Sequence, residues 1–407
     1  MANVTISGGV RSGLLALPWL FGPRADLAVS LGGMLAGFAL VGMHLFLGWN
    51  MILVWFIWVV TLDTPHFFAT YARTYLDKQA RQTFRPLLSR SLVIFLIAPV
   101  AILLSRGFFE MGVADYRAPW RLFIYGVSLW AYYHITRQHY GVLRLYNRKN
   151  GETGSEEARL DSLVLYGYLA VSFLGVLTYY PRTQRIFGLG GVELPGTFLG
   201  MPFGALSLAN LNDLVFGLAL LAALSLAALF FAFQIGKLLR GEPVNLPKVV
   251  FLSSVLLLHG VVSFGGVLPA ESTLPFTAVI TIYHDIQYLF IVWFHGKNRY
   301  GTTAESRRAF GIAGYLSKSF PRFMAAALLT MSLPIWTFGC AIGRVQVCPG
   351  PDWGQATFLG ETTWILFFAA VTAGFQMHHY VLDQYIWRPS RSAKLREELR
   401  LESAAAR

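Results

Sequence analysis

Charge is what this chain has least of. Only 13% of its 407 residues are Asp, Glu, Lys or Arg, about half the share carried by ordinary soluble domains. Against that, 55% are hydrophobic and the mean hydropathy is +0.52, which excludes a soluble globular fold. Acidic residues are scarcer than basic ones, 21 against 33, for a formal net charge of +12. Such an excess suits nucleic acid when it forms a stripe on a polar fold. Here the basic residues lie in short loops between apolar runs, so nucleic acid is excluded as a partner and the charges read as topology signals. A cleavable signal is lacking: Met1 to Pro23 holds only a short apolar patch, Leu14 to Phe21, broken by Pro18, without the charged start and cleavage site of a leader. This N-terminal stretch (1–26) is expected to be cytoplasmic or interfacial. Long polar runs are missing apart from Asn147 to Ala158, which reads as a connector. Repeats and low-complexity segments are missing too. Cysteine is nearly absent, with only Cys340 and Cys348. On the topology below they face the oxidising side, where a disulfide across their short loop is expected.

What the chain has instead is long apolar segments. Crossing a hydrocarbon layer of roughly 30 Å takes about 20 apolar residues as a helix, the form that satisfies its own backbone in lipid. Ten segments qualify, near residues 27–47, 51–71, 91–109, 122–146, 160–180, 211–233, 249–267, 276–294, 322–342 and 363–385. They are continuously apolar, unlike the alternating strands of a barrel. The expected fold is therefore all-α and polytopic, a single integral-membrane domain over 1–407 with a basic tail at 388–407. Lys and Arg concentrate in alternate loops, and the other side holds only Arg106, Arg117, Arg121, Arg182, Arg185 and Arg344. Since short Lys/Arg-rich loops stay cytoplasmic, both termini are predicted to be cytoplasmic, as in a protein of a bacterial inner membrane. The outer loop 181–206 contains Phe187-Gly188-Leu189-Gly190-Gly191. With no strand before it and no helix after it, this is not a phosphate-binding loop.

Inside these apolar segments sit residues that do not belong in lipid. Segment two carries Asp63-Thr64-Pro65-His66, and segment four carries His134, Arg137, Gln138 and His139. Segment eight carries His284, Asp285 and Gln287 with His295 beyond, and segment ten carries His378, His379 and Asp383. An ionisable side chain within a span is costly and faces a protein interior where it has a role. On the predicted topology His66, His139 and His379 precede a cytoplasmic Arg by seven, five and nine residues, so they lie at similar depths at about 1.5 Å per residue. His284 is nearer the middle. His44 and His259 stand outside this layer.

Neutral imidazole is the commonest metal ligand and suits Fe, Zn, Cu and Ni. The expected ligands are His66, His134, His139, His284, His378 and His379, with Asp63, Asp285 and Asp383 completing the coordination or orienting ring N–H groups. Arg137 is expected to supply positive charge near the site or to bind a substrate head group. Helical geometry divides the set. Asp63 and His66, His134 and Gln138, and His379 and Asp383 share faces, whereas His139 is about 140° around from His134 and His378 about 100° from His379. One histidine of the first of these pairs is therefore the better ligand unless the helix is distorted. Pro65 removes a backbone donor and is expected to kink its helix. Tyr133, Tyr140, Tyr283, Tyr288 and Tyr380 crowd the same layer and read singly as packing aromatics.

The string Gln138-His139-Tyr140-Gly141 resembles a histidine motif of the membrane alkane monooxygenases, and His378-His379 resembles the doubled histidines of the desaturase and hydroxylase boxes. Histidines distributed over separate helices are also similar in style to the carotenoid-cleaving dioxygenases related to bacteriorhodopsin. The resemblance implies non-haem iron, one or two ions, although another transition metal would also fit these residues. It further implies oxygen chemistry on a lipophilic substrate drawn from the membrane lipid, fed by a separate electron donor. Two other readings are a proton- or ion-coupled transporter with a buried His/Asp/Arg relay and a haem-binding electron-transfer protein. The first needs polar residues continuing to the outer side, which segments two, four, eight and ten nearly lack. The second uses two axial histidines and leaves at least four without a role.

Overall fold

In a computed structural model, described over residues 10–179, 211–269, 273–341 and 362–401 with short strands at 197–198, 201–202 and 357–359, helices dominate. Helical structure falls on each of the ten expected segments. Among the described residues, seven helices are long and apolar enough to cross a membrane: Pro23–Leu47, Met51–Thr74, Arg85–Glu110, Glu156–Tyr179, Leu211–Leu239, Leu246–Phe264 and Leu274–Arg299. The helices Ala118–Lys149 and Trp364–Ile386 are more polar because they carry His134, Arg137 and His139 and His378, His379 and Asp383. The protein is thus an all-α polytopic membrane protein. The glycine-rich stretch 187–191 and Cys348 lie outside the described residues, as does the side chain of Cys340.

The chain forms two compact units, one of residues 1–42, 139–283 and 401–407 and the other of 43–138 and 284–400. In the first, Val10–Ser12 pairs antiparallel with Leu15–Leu17, which pairs in parallel with Val244–Asn245. Gly13 makes the turn at φ +60°. Helices approach closely where a side chain is missing. A Cβ on Gly175 would sit 2.4 Å from the Phe264 ring, and one on Gly260 2.3 Å from the Tyr168 hydroxyl, the small-residue packing that membrane helices favour. Lys248 is fully buried, and its Nζ lies 3.1, 2.6 and 3.0 Å from Glu152, Glu157 and Asp161. Glu157 also pairs with Lys237 at 2.7 Å. Buried charge is tolerated in this way, by pairing.

The second unit contains the unusual helix. Pro65 lacks the N–H that would bond to Thr61, and the chain answers with a π-helical turn, Val59–Asp63, before the helix Thr64–Thr74 begins. The expected kink is therefore a π turn, a feature frequent at functional sites. It packs against a second π turn, Leu328–Ser332, where the Ser332 hydroxyl donates to the carbonyl of Val60 at 2.7 Å. Phe68, Ala69, Ala72, Tyr288, Leu289, Val292, Phe323 and Ala327 form one apolar core, and Ala98, Ala101, Phe123, Ala370, Ala373 and Met377 form another.

Past the end of the His66 helix the unit is closed by a polar knot. Arg299 donates to Asp77 at 2.8 Å and to Glu398 at 2.6 Å, Asn298 donates to the Glu398 carbonyl at 2.8 Å, and His295 lies 2.9 Å from the Glu398 carboxylate. Burial pushes the Glu398 carboxyl up, but the His295 hydrogen bond and charge and the Arg299 guanidinium outweigh it and hold it down at about 2. A depressed carboxyl contributes stability that is present above its unfolded value, about 4.3 for Glu, and lost as the pH falls toward the folded value. Glu398→Gln should lower the melting temperature in detergent at pH 7 and remove part of the acid sensitivity between pH 4 and 2. A variant with an unchanged pH profile would dismiss this role.

Candidate metal centre

Four helical segments within the second unit each bring one imidazole to the same place. His66 comes from Thr64–Thr74, His134 from Ala118–Lys149, His284 from Leu274–Arg299 and His379 from Trp364–Ile386. All four are buried. Their ring centres form a closed circuit: His66 to His284 4.7 Å, His284 to His134 5.0 Å, His134 to His379 4.9 Å and His379 to His66 4.4 Å, each pair edge to face. Across the circuit, His66 and His134 are 6.4 Å apart. An imidazole bound through nitrogen at about 2.1 Å sets its ring centre roughly 3.2 Å from the ion. Two rings on opposite sides of one ion then sit about 6.4 Å apart, and neighbours about 4.5 to 5.2 Å. By ring spacing the circuit has the dimensions of imidazoles gathered around a shared centre, with the ligand atoms of His284 grouped with His66 and Asp285 and not with His134 and His379.

His66, His134, His379 and Asp383 each offer a ligand atom within 4.8 Å of the others, and His66, His284 and Asp285 form a second such group. The Nε2 atoms of His66, His134 and His379 are buried without a hydrogen-bond partner among the described residues. Buried polar atoms are nearly always satisfied, and an exception points to a missing ion or water. The buried His/Asp cluster could therefore hold a metal ion.

The surrounding residues fix how these rings are presented. Asp383 Oδ1 accepts from the Thr70 hydroxyl at 2.8 Å and the Tyr288 hydroxyl at 2.7 Å. With its proton given to Asp383, Thr70 Oγ1 is left to accept from His379 Nδ1–H at 2.7 Å, which leaves His379 Nε2 with a lone pair for a metal. Tyr288 in turn accepts from Trp387 Nε1 at 3.1 Å. His66 Nδ1 lies 2.7 Å from Asp285 Oδ1, in ion-pair range but outside good hydrogen-bond directionality, and Trp58 Nε1 donates to Asp285 Oδ2 at 3.2 Å. Tyr380 stacks on the His134 ring at 4.3 Å, and Gln138 Nε2 donates to the His284 carbonyl at 2.8 Å. Partners of this kind set the tautomer and orientation of metal-binding histidines.

Four expected site residues lie outside the ligand groups. His378, rotated from His379, has both ring nitrogens engaged: Nδ1 with the Tyr71 hydroxyl at 3.1 Å and Nε2 with the Ser91 hydroxyl at 2.9 Å. Phe95 and Tyr71 enclose its ring. It is satisfied without a metal. His139 belongs to the other unit, where its ring packs against His259 at 5.8 Å, Tyr283 at 5.5 Å and Phe251 at 6.3 Å. The 140° rotation from His134 is kept in an undistorted helix. Arg137 is exposed, since only the neighbouring face of that helix turns inward with His134 and Gln138. Asp63 ends the π turn one helical turn before His66, within electrostatic reach of Asp285 but outside both ligand groups.

Thr70, Trp58 and Trp387 were not expected at the site. Thr70 follows His66 by four residues, and Tyr288, read from sequence as packing, follows His284 by four. That spacing is the one signal that would have marked them. Comparisons with protein-family models, with curated proteins and with solved structures found no match.

Proposed function

We propose that the protein is a membrane-embedded metalloenzyme in which His66, His134, His284, His379 and Asp383 hold a transition metal, in our reading non-haem iron, for oxygen-dependent oxidation, desaturation or hydroxylation of a lipophilic substrate. The observation that carries this reading is the circuit of four imidazoles, of which His66, His134 and His379 bring an Nε2 without a hydrogen-bond partner and, with Asp383, offer ligand atoms within 4.8 Å of one another, while His284 groups with His66 and Asp285 beside them. A bound iron ion would supply redox chemistry and a coordination position for oxygen. The chain's own contribution is geometric. Asp285 places a carboxyl beside His66, Thr70 keeps the His379 proton on Nδ1, and Tyr380, Phe67 and Tyr288 pack around the rings and exclude water. A haem centre fits less well, because a porphyrin needs an open plane between two axial histidines, and here the other two imidazoles occupy that space.

The same reading takes ten spans with both termini in the cytoplasm of a bacterial inner membrane and places the metal toward the inner leaflet, supported by the Lys/Arg distribution. It also takes a separate reductant. The test is metal analysis and an absorption spectrum of protein purified in detergent, with mass spectrometry of co-purified lipids. The expected result is near-stoichiometric iron without a Soret band. A Soret band would replace this reading with haem, and protein free of transition metal after expression in iron-replete cells would favour ion transport.

A further inference from the structure

Outside the site, one surface element is built differently from the rest. The segment 300–322 follows the end of one candidate membrane span, Leu274–Arg299, and is tied to the end of another, Met51–Thr74, so it lies at the edge of the bilayer. Its backbone is pinned: Lys78 N–H donates to the Phe310 carbonyl at 3.1 Å and Ala313 N–H to the Leu76 carbonyl at 3.2 Å. The fold is tight, with Gly311 at φ +71° and Gly314 so close to the Arg307 carbonyl that a Cβ would lie 2.2 Å from it. The short helix Ile312–Leu316 buries Ala313, Gly314 and Leu316 and turns the other way Ile312, 58% exposed, and Tyr315, 62% exposed. Phe320, 39% exposed, follows. Around these stand the exposed cations Lys78, Arg308 and Lys318, and the Arg322 guanidinium lies 4.5 Å over the Tyr315 ring. Glu305 is the one acidic residue in the segment.

A rigid platform that holds an isoleucine and two aromatic rings outward, ringed by Lys and Arg, has the composition of the interface belt, where aromatic rings sit at headgroup level and cations reach for phosphate. We propose that residues 311–322 insert into the headgroup layer of the adjoining leaflet and bind anionic phospholipid, with Ile312, Tyr315 and Phe320 below the phosphates and Lys318 and Arg322 on them. Charge complementarity and position at the ends of two spans select the lipid surface. A second copy of this chain would meet the same four cations and be repelled. The inference rests on the membrane character of the chain and is independent of the metal.

A benzophenone amino acid at Tyr315 in the full-length protein tests it. The protein is reconstituted in nanodiscs of phosphatidylcholine with or without phosphatidylglycerol and illuminated. The expected product is a phospholipid adduct, enriched in phosphatidylglycerol, with no adduct from a probe at Thr302. Lys318→Ala with Arg322→Ala should cut that enrichment by about fivefold or more, since each interfacial cation is worth about that factor. A crosslinked dimer, no lipid adduct at position 315, or undiminished enrichment in the double variant would each overturn the proposal. Unchanged melting of the double variant shows that the fold is intact.

Discussion

His379→Ala should strip the protein of its metal, whereas His378→Ala, one residue away, should leave it bound. The two side chains are adjacent in sequence and both buried, so the contrast isolates geometry from composition. His379 presents to the circuit of rings an Nε2 that has no hydrogen-bond partner and lies 3.7 Å from Asp383 Oδ2, while His378 spends both nitrogens on Ser91 and Tyr71. Losing a residue that merely supports a ligand weakens metal binding roughly 10- to 100-fold. Losing a ligand itself should exceed about 100-fold on that scale. The measurement is metal content per chain after dialysis against a weak chelator. His284→Ala should follow His379→Ala, and His44→Ala, near the end of the first span with its Nδ1 2.6 Å from the Trp49 carbonyl and outside both ligand groups, should behave as the parent. His139→Ala should also retain the metal. Should His379→Ala fail to fold, His379→Gln keeps much of the bulk and tests the nitrogen. Equal metal in the His378 and His379 variants would remove the centre as assigned.

The sequence carried much of this and missed the rest for identifiable reasons. Seven of the ten expected spans recur as helices long and apolar enough to cross a membrane, because apolar length alone marks them, and the His-bearing helices were legible because ionisable residues in such stretches are costly. Residues four apart share a helix face, which paired His379 with Asp383 and His134 with Gln138 before any coordinates. Position along a helix is readable in the sequence, and so is direction around it. His139 and Arg137 lie at the depth of the site and point away from it, at rotations that 3.6 residues per turn already fixed. Between His378 and His379 the chain itself offers no choice. Ser91 and Tyr71, 287 and 307 residues distant, make it. Division into units that interleave along the chain was illegible for the same reason, since it rests on packing between remote segments.

Thr70→Val should weaken metal binding by about 10- to 100-fold, the cost of losing an outer-sphere partner, and Thr70→Ser should restore most of it. The argument is one of proton placement. Asp383 Oδ1 takes the Thr70 and Tyr288 hydrogens, so the lone pairs of Thr70 Oγ1 face His379 Nδ1 and hold the proton there. Valine has nearly the same shape and removes only the oxygen. The His379 proton then loses its acceptor and can move to Nε2, where it blocks the lone pair that a metal needs, while Asp383 is left with one hydrogen bond fewer in a buried position. A packing defect would lower the melting temperature of the metal-free protein and would not be cured by serine, which lacks the methyl group. A loss of proton placement would weaken the metal and be rescued by serine, which also restores the hydrogen bond to Asp383 and the stability that goes with it. Titration of the metal-depleted protein with Fe(II), read beside thermal melting, separates the two. Unaltered affinity in Thr70→Val would show that the ring of His379 is oriented by other contacts.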